Sequence, residues 1–314
     1  MSEFIRIFEV VLPVILLVVF GFVARKLNLF DEDFVNAGSR LVFKVFLPIN
    51  MFFNIFNASG LNKADPKIII YAVLGQIIIL FLAYIVYKKM KFDNETMAVM
   101  LQTIVRSNIV LFGLSIAQNY FDSENVAIVT IYIGIIAAFS NGFAIIIYEV
   151  LTNKDSSINY IKIVKTIFKN PIFVAAILGI VFNLIDINIY EPVMSAAGDL
   201  SSVATPLGLM CVGGSIKFSR DTNEVKALKT IVLSKSLVVP LVALFVFTLI
   251  GLRGPEMFVM IILFAAPVAV SSHAMSIIYT SKGDFCAMII VYTTILNSIT
   301  IFLSILILST LGII

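Results

Sequence analysis

A chain of 314 residues has room for one large soluble domain or two modest ones, but 60% hydrophobic residues against 13% charged, with a mean hydropathy of +1.07, exclude an ordinary soluble protein. The net charge of +3 implies no nucleic-acid partner, because the basic residues fall in short loops where membrane topology accounts for them. Apolar runs near the bilayer-spanning length of roughly 20 residues recur along the whole chain and leave no stretch for a soluble domain.

Ten such runs predict an all-α integral membrane protein with spans at 10–23, 41–56, 68–87, 97–120, 126–150, 171–185, 193–216, 231–252, 258–279 and 285–311. Span 1 is not a signal peptide, since Glu3 and Glu9 spoil a basic leader and no small-residue cleavage site precedes Arg25 and Lys26. Cys211 and Cys286 fall inside spans and read as small buried hydrophobes rather than as a disulfide. With no tryptophan in the chain, interfacial anchoring falls to tyrosines such as Tyr84, Tyr87, Tyr120 and Tyr190.

Orientation follows from the basic residues of alternate loops. One set of loops carries Arg6, Lys63, Lys67 and Arg253, while the other carries 14 Lys and Arg, from Arg25 and Lys26 to Lys282. The second set should face the cytoplasm, which puts both termini on the extracytoplasmic side of a cytoplasmic membrane. The stretch 152–170, "TNKDSSINYIKIVKTIFKN", is the one candidate linker, and its second half reads as a basic amphipathic helix on the inner surface. It separates a first five-span repeat, 1–151, from a second, 171–314. Five is odd, so homologous halves would insert with opposite topology. "AIVTIYIGIIA" from Ala127 resembles "AMIIVYTTILN" from Ala287, and Pro48 of span 2 matches Pro206 of span 7. Inverted repeats with the substrate held at interrupted helices near the midplane are frequent in secondary transporters.

Spans 4 and 9 carry the irregularities. Arg106 lies nine residues beyond Met97 and Pro267 nine beyond Phe258, so both sit roughly 14 Å into the membrane. Pro267 has no N–H and leaves the carbonyl of Leu263 without its helical partner. If both helices open there, each second half starts with free N–H groups and a positive dipole end, and two such ends facing one another make an anion site. Arg106 would add a full charge and a bidentate fork for carboxylate, with Ser107, Asn108, Ser271 and Ser272 as orienting donors. The competing reading of "RSN" is helix packing, against which stands the cost of about 2.5 kcal/mol or more for a mid-bilayer arginine.

His273, the single histidine, is either a proton relay or a satisfied core residue. Asp199, about 12 Å below the outer surface, either couples a proton or sodium ion or neutralises a neighbouring base. Lys44 and Lys235 lie within reach of the cytoplasmic surface and are expected to snorkel. Asn141 and Asn297, in the corresponding spans 5 and 10, either join helices or face the site. No cofactor or metal is expected beyond such a coupling ion.

Ten spans, with "RSNIVLFGLSIA" in span 4, "GDLSSVATPLGLMCVGGSI" in span 7, "APVAVSSHAMS" in span 9 and "VYTTILNSITIFL" in span 10, resemble the auxin efflux carrier family over essentially the whole chain. That family includes bacterial organic-acid permeases and the plant PIN-FORMED proteins. The resemblance implies a 5+5 inverted repeat, with spans 1, 2, 6 and 7 as a scaffold and spans 3–5 and 8–10 as a moving transport domain. It implies an elevator-type movement, dimerisation through the scaffold, and a substrate site at the crossing of spans 4 and 9 that includes Arg106, Ser107, Asn108 and Pro267, with Ser271 close by. Ser115 stands where relatives commonly carry proline after "GL", and the long loop of many plant relatives is missing between spans 5 and 6, which weakens any inference of auxin as cargo.

An enzyme is not expected. The chain has no H-E-x-x-H, no G-x-G-D at Asp199 and no G-x-S-G at Ser215, and without a G-x-x-x-x-G-K-[ST] loop it holds no ATP-driven pump. The expected cargo is a small organic anion, a mono- or dicarboxylate. An anion channel or a membrane-embedded ligand sensor is the alternative.

Overall fold

The computed structural model describes residues 2–57, 65–152, 165, 168–185, 187–217 and 221–314. It is 85% helical, with no strand among the described residues. The helices are α1 Ser2–Lys26, α2 Glu32–Phe56, α3 Pro66–Lys89, α4 Asn94–Val105, α5 Ile109–Tyr120, α6 Ser123–Thr152, α7 Pro171–Leu184, α8 Glu191–Gly214, α9 Thr222–Ile250, α10 Gly254–Ala265, α11 Ser271–Tyr279 and α12 Gly283–Thr310. Each apolar run read from the sequence is helical, and the runs 97–120 and 258–279 are each split in two. Five helices, α2, α3, α6, α9 and α12, are long and apolar enough to cross a membrane, while α5, α7 and α10 are shorter apolar helices. The linker 152–170 lies almost wholly outside the described residues, and with it the amphipathic helix expected there.

Local chemistry sets the helix starts. Asp31, Asp65, Asp93, Asn170 and Asp221 each stand at an N-cap and accept a backbone N–H from the first turn, and Pro66 and Pro171 follow at positions where no N–H is needed. At its other end α9 stops at Gly251, whose φ of +85° is left-handed and suits glycine. α2 and α9 each contain a five-residue π-helical turn, Val42–Phe46 and Ser234–Val238. Such a turn shifts the register of the side chains that follow it.

The exterior is apolar, the inverse of a water-soluble protein: Ile78, Phe81 and Leu82 of α3 and Phe245 and Leu249 of α9 are all exposed. α1 and α8 cross at backbone contact, since a Cβ on Gly213 would lie 2.0 Å from the carbonyl oxygen of Val18, and one on Gly21 would lie 2.1 Å from that of Met210. Small residues at such crossings let helices approach where lipid supplies no hydrophobic drive between them. At the centre, residues Thr96–Val105 of α4 and Met257–Ala265 of α10 are buried on every face. A helix buried all round can only be a central element.

Candidate functional site

α4 and α10 end opposite one another, and α5 and α11 restart on the far side of short extended segments. Arg106 is extended, with φ −101° and ψ 104°, and so is Ala266, with φ −66° and ψ 150° as expected of a residue before proline. The two segments meet as a single antiparallel bridge between Ser107 and Val268. The Asn108 N–H donates to Pro267 O at 2.7 Å, and the Ala269 N–H donates to Arg106 O at 3.2 Å. Span 4 is therefore interrupted without a proline. Pro267 breaks span 9, and span 4 opens where its extended segment pairs with that break.

Five of the carbonyls at the breaks are met by side chains, as a lipid-embedded backbone favours. Ser107 Oγ donates to Leu263 O, the carbonyl that Pro267 leaves without a partner. Gln76 Nε2 of α3 donates to Val105 O at 3.0 Å, and Asn297 Nδ2 of α12 donates to Ala265 O at 2.8 Å and to Ala266 O at 3.3 Å. Asn297 thus caps the broken helix, and its Oδ1 accepts from Ser236 Oγ. Lys235 corrects the sequence expectation. It does not snorkel but is fully buried, and its Nζ donates to Ile104 O at 3.1 Å and to Ser107 Oγ at 2.6 Å. The π-helical turn of α9 begins one residue before it.

On the other side of the crossing lies a cavity of about 180 Å³. Arg106, Ser107, Asn108, Asn141 and Ser271 line it together, joined by Asn50 and Asn54 of α2, Ser140 of α6 and Thr205 of α8. Residues Ile109–Leu111 and Val270–Ser271 bring the N-terminal turns of α5 and α11 to the same wall, so both positive helix ends contribute. Arg106 is 3% exposed. It donates to Asn141 Oδ1 at 2.6 Å, to Met275 Sδ at 2.7 Å and to Ser271 Oγ, all neutral acceptors. Asn141 is itself fixed by Nδ2 donating to Ala137 O at 2.9 Å. A guanidinium has five N–H groups, and no Asp or Glu is buried among the described residues. The cavity therefore carries a full positive charge that the protein leaves unneutralised.

Not every candidate joins this wall. His273 points the other way, its Nε2 2.8 Å from Ser215 Oγ at the end of α8. The Ser272 hydroxyl is buried without a hydrogen-bond partner, and the residue does not line the cavity. Asn297 lies behind the crossing, and Asp199 is exposed on α8. Pro267 contributes its carbonyl to the bridge rather than to the cavity. A larger cavity of about 520 Å³ lies between α9 and α12, but two of its three lysines are in ion pairs, Lys217 with Asp284 at 3.2 Å and Lys282 with Glu224 at 3.5 Å. Volume favours that cavity, whereas buried and unbalanced charge favours the crossing, and charge is the better guide to an anion.

Gln76, Ser140, Asn50 and Asn54 are residues that the sequence reading passed over. Each is a polar residue inside an apolar run, which is the signal that marked Asn141, and Asn50 and Asn54 also share a helix face at i, i+4.

Two interrupted helices crossing inside a lipid-facing helical bundle, around an unpaired cation, define a membrane transport protein. A family model described as "Membrane transport protein", that of the auxin efflux carriers, matches residues 6–305, and the chain belongs to this family. No curated sequence matches the chain. The family is one of transporters rather than enzymes, and the chain is a multi-pass membrane protein.

Proposed function

We propose that this chain is a secondary carrier for a small organic anion, a mono- or dicarboxylate, held at the crossing of α4–α5 with α10–α11. Ten spans form a 5+5 inverted repeat. Spans 1, 2, 6 and 7 make the scaffold, and spans 3–5 and 8–10 carry cargo by an elevator-type movement across a cytoplasmic membrane with both termini outside. The observation that carries the reading is Arg106, buried beside two helix N-termini with only neutral partners. Its free N–H groups and the hydroxyl of Ser271 would take the carboxylate, and Asn108 would orient the rest. A cavity of about 180 Å³ suits a cargo of roughly ten non-hydrogen atoms at protein-interior packing.

The test is a thermal-shift screen of the purified full chain against mono- and dicarboxylates, followed by counterflow in proteoliposomes. Stabilisation and saturable counterflow by wild type, both lost in a folded Arg106→Ala, are the expected outcome. Undiminished transport by that variant would overturn the assignment, and unsaturable flux in wild type would favour an anion channel.

A further inference from the structure

The anion site has a reverse side. Where α5 and α11 turn their positive ends toward the cavity, α4 and α10 turn their negative ends toward each other at the same crossing. Facing half-helix C-termini with unwound carbonyls are where ion-coupled carriers hold their sodium, because carbonyl oxygens and two partial negative charges converge there. In this chain that position contains the Nζ of Lys235. It lies 3.1 Å from Ile104 O at the end of α4 and 2.6 Å from Ser107 Oγ, which in turn donates to Leu263 O at the end of α10. One ammonium thus reaches both helix ends, the first directly and the second through a hydroxyl. It is fully buried and belongs to no ion pair among the described residues, so an ion-pair role does not explain it.

We infer that Lys235 is a tethered cation that does the work of a coupling sodium ion, so that the crossing is held together without an alkali metal. Removing the ammonium would leave oxygen-lined space between two negative helix ends, which sodium and its waters can fill. The inference concerns the far side of the crossing and does not depend on what the cavity carries.

The experiment compares melting temperatures of the detergent-purified full chain in sodium chloride and in choline chloride at equal ionic strength, with no organic acid present, for wild type, Lys235→Arg and Lys235→Met. Wild type and Lys235→Arg should melt at the same temperature in both salts. Lys235→Met, which keeps the length of the stem, should melt lower in choline and regain about 3 °C or more in ~150 mM sodium, with a sodium dependence that saturates. Sodium-specific stabilisation of wild type would overturn the inference, as would a Lys235→Met that melts identically in the two salts. If Lys235→Met does not fold in either salt, Lys235→Gln takes its place in the same comparison, and the same outcomes decide. Loss of organic-acid binding in a separate assay would bear on the cavity alone.

Discussion

Arg106 sits in a net of neutral acceptors, which holds its position without cancelling its charge. Coulomb attraction at low effective dielectric is strong, so a carboxylate in the net would occupy the guanidinium permanently. Asn141 Oδ1, at 2.6 Å, is the place where such a carboxylate would go. Asn141→Asp should therefore retain the fold but weaken organic-anion binding by about tenfold or more, measured by thermal shift or equilibrium binding. Binding equal to wild type would mean that cargo does not meet Arg106. Arg106→Ala, which removes a bidentate fork, should cost about 100-fold in affinity at least, and Arg106→Lys should recover only part of it because a point charge cannot form two parallel bonds.

At the scale of the element, the decisive fact is that helices broken in lipid need substitute partners for each freed carbonyl. Asn297 serves Ala265 and Ala266, and Gln76 serves Val105. Asn297→Leu strands two carbonyls and should destabilise the protein by about 1–3 kcal/mol per lost partner, read as a fall in melting temperature, although Asn297 does not line the cavity. Gln76→Leu should do the same on a smaller scale. Gly213 belongs to the same level: its missing Cβ would lie 2.0 Å from a backbone oxygen of α1, which cannot move as a flexible side chain can. Gly213→Leu should cost about 3 kcal/mol or more and show as loss of a monodisperse peak in size-exclusion chromatography. A Gly213→Leu as stable as wild type would mean that α1 and α8 do not cross as described.

For the whole molecule, the elevator reading requires α11 to slide past α8. His273 of α11 and Ser215 at the end of α8 touch at 2.8 Å, so they belong to one conformation of the cycle. In Ser215→Cys the new thiol and the His273 imidazole are spaced to bind a thiophilic metal, with ligand bonds of about 2.0–2.3 Å each. Micromolar cadmium should arrest counterflow in that variant and a chelator should restore it, with wild type unaffected. Continued transport in the cadmium-bound variant would mean that α8 and α11 keep their relative positions throughout.

Much of this was legible in the order of residues, and the reason is the membrane. Lipid demands apolar runs of a set length, so the runs stand out. It also makes a buried arginine costly, so "RSN" stands out within its run, and "APVAVSSHAMS" declares its break through a proline that cannot donate a hydrogen bond. The order of those motifs pointed to the family whose model matches residues 6–305. What the chain order left open was decided by contacts between residues far apart in sequence. Span 4 opens without a proline because Pro267, 161 positions after Arg106, presents its carbonyl to Asn108. Lys235 looked like a side chain reaching for water, and only the convergence of two helix ends upon it makes burial favourable. His273 and Asn297 each carried two readings along the chain, and only their partners, Ser215 and the end of α10, show them facing away from the cavity. Burial length and cost are properties of a segment and can be read along the chain, whereas the partner of a charge or a carbonyl is fixed only when the folded helices bring it within about 3 Å.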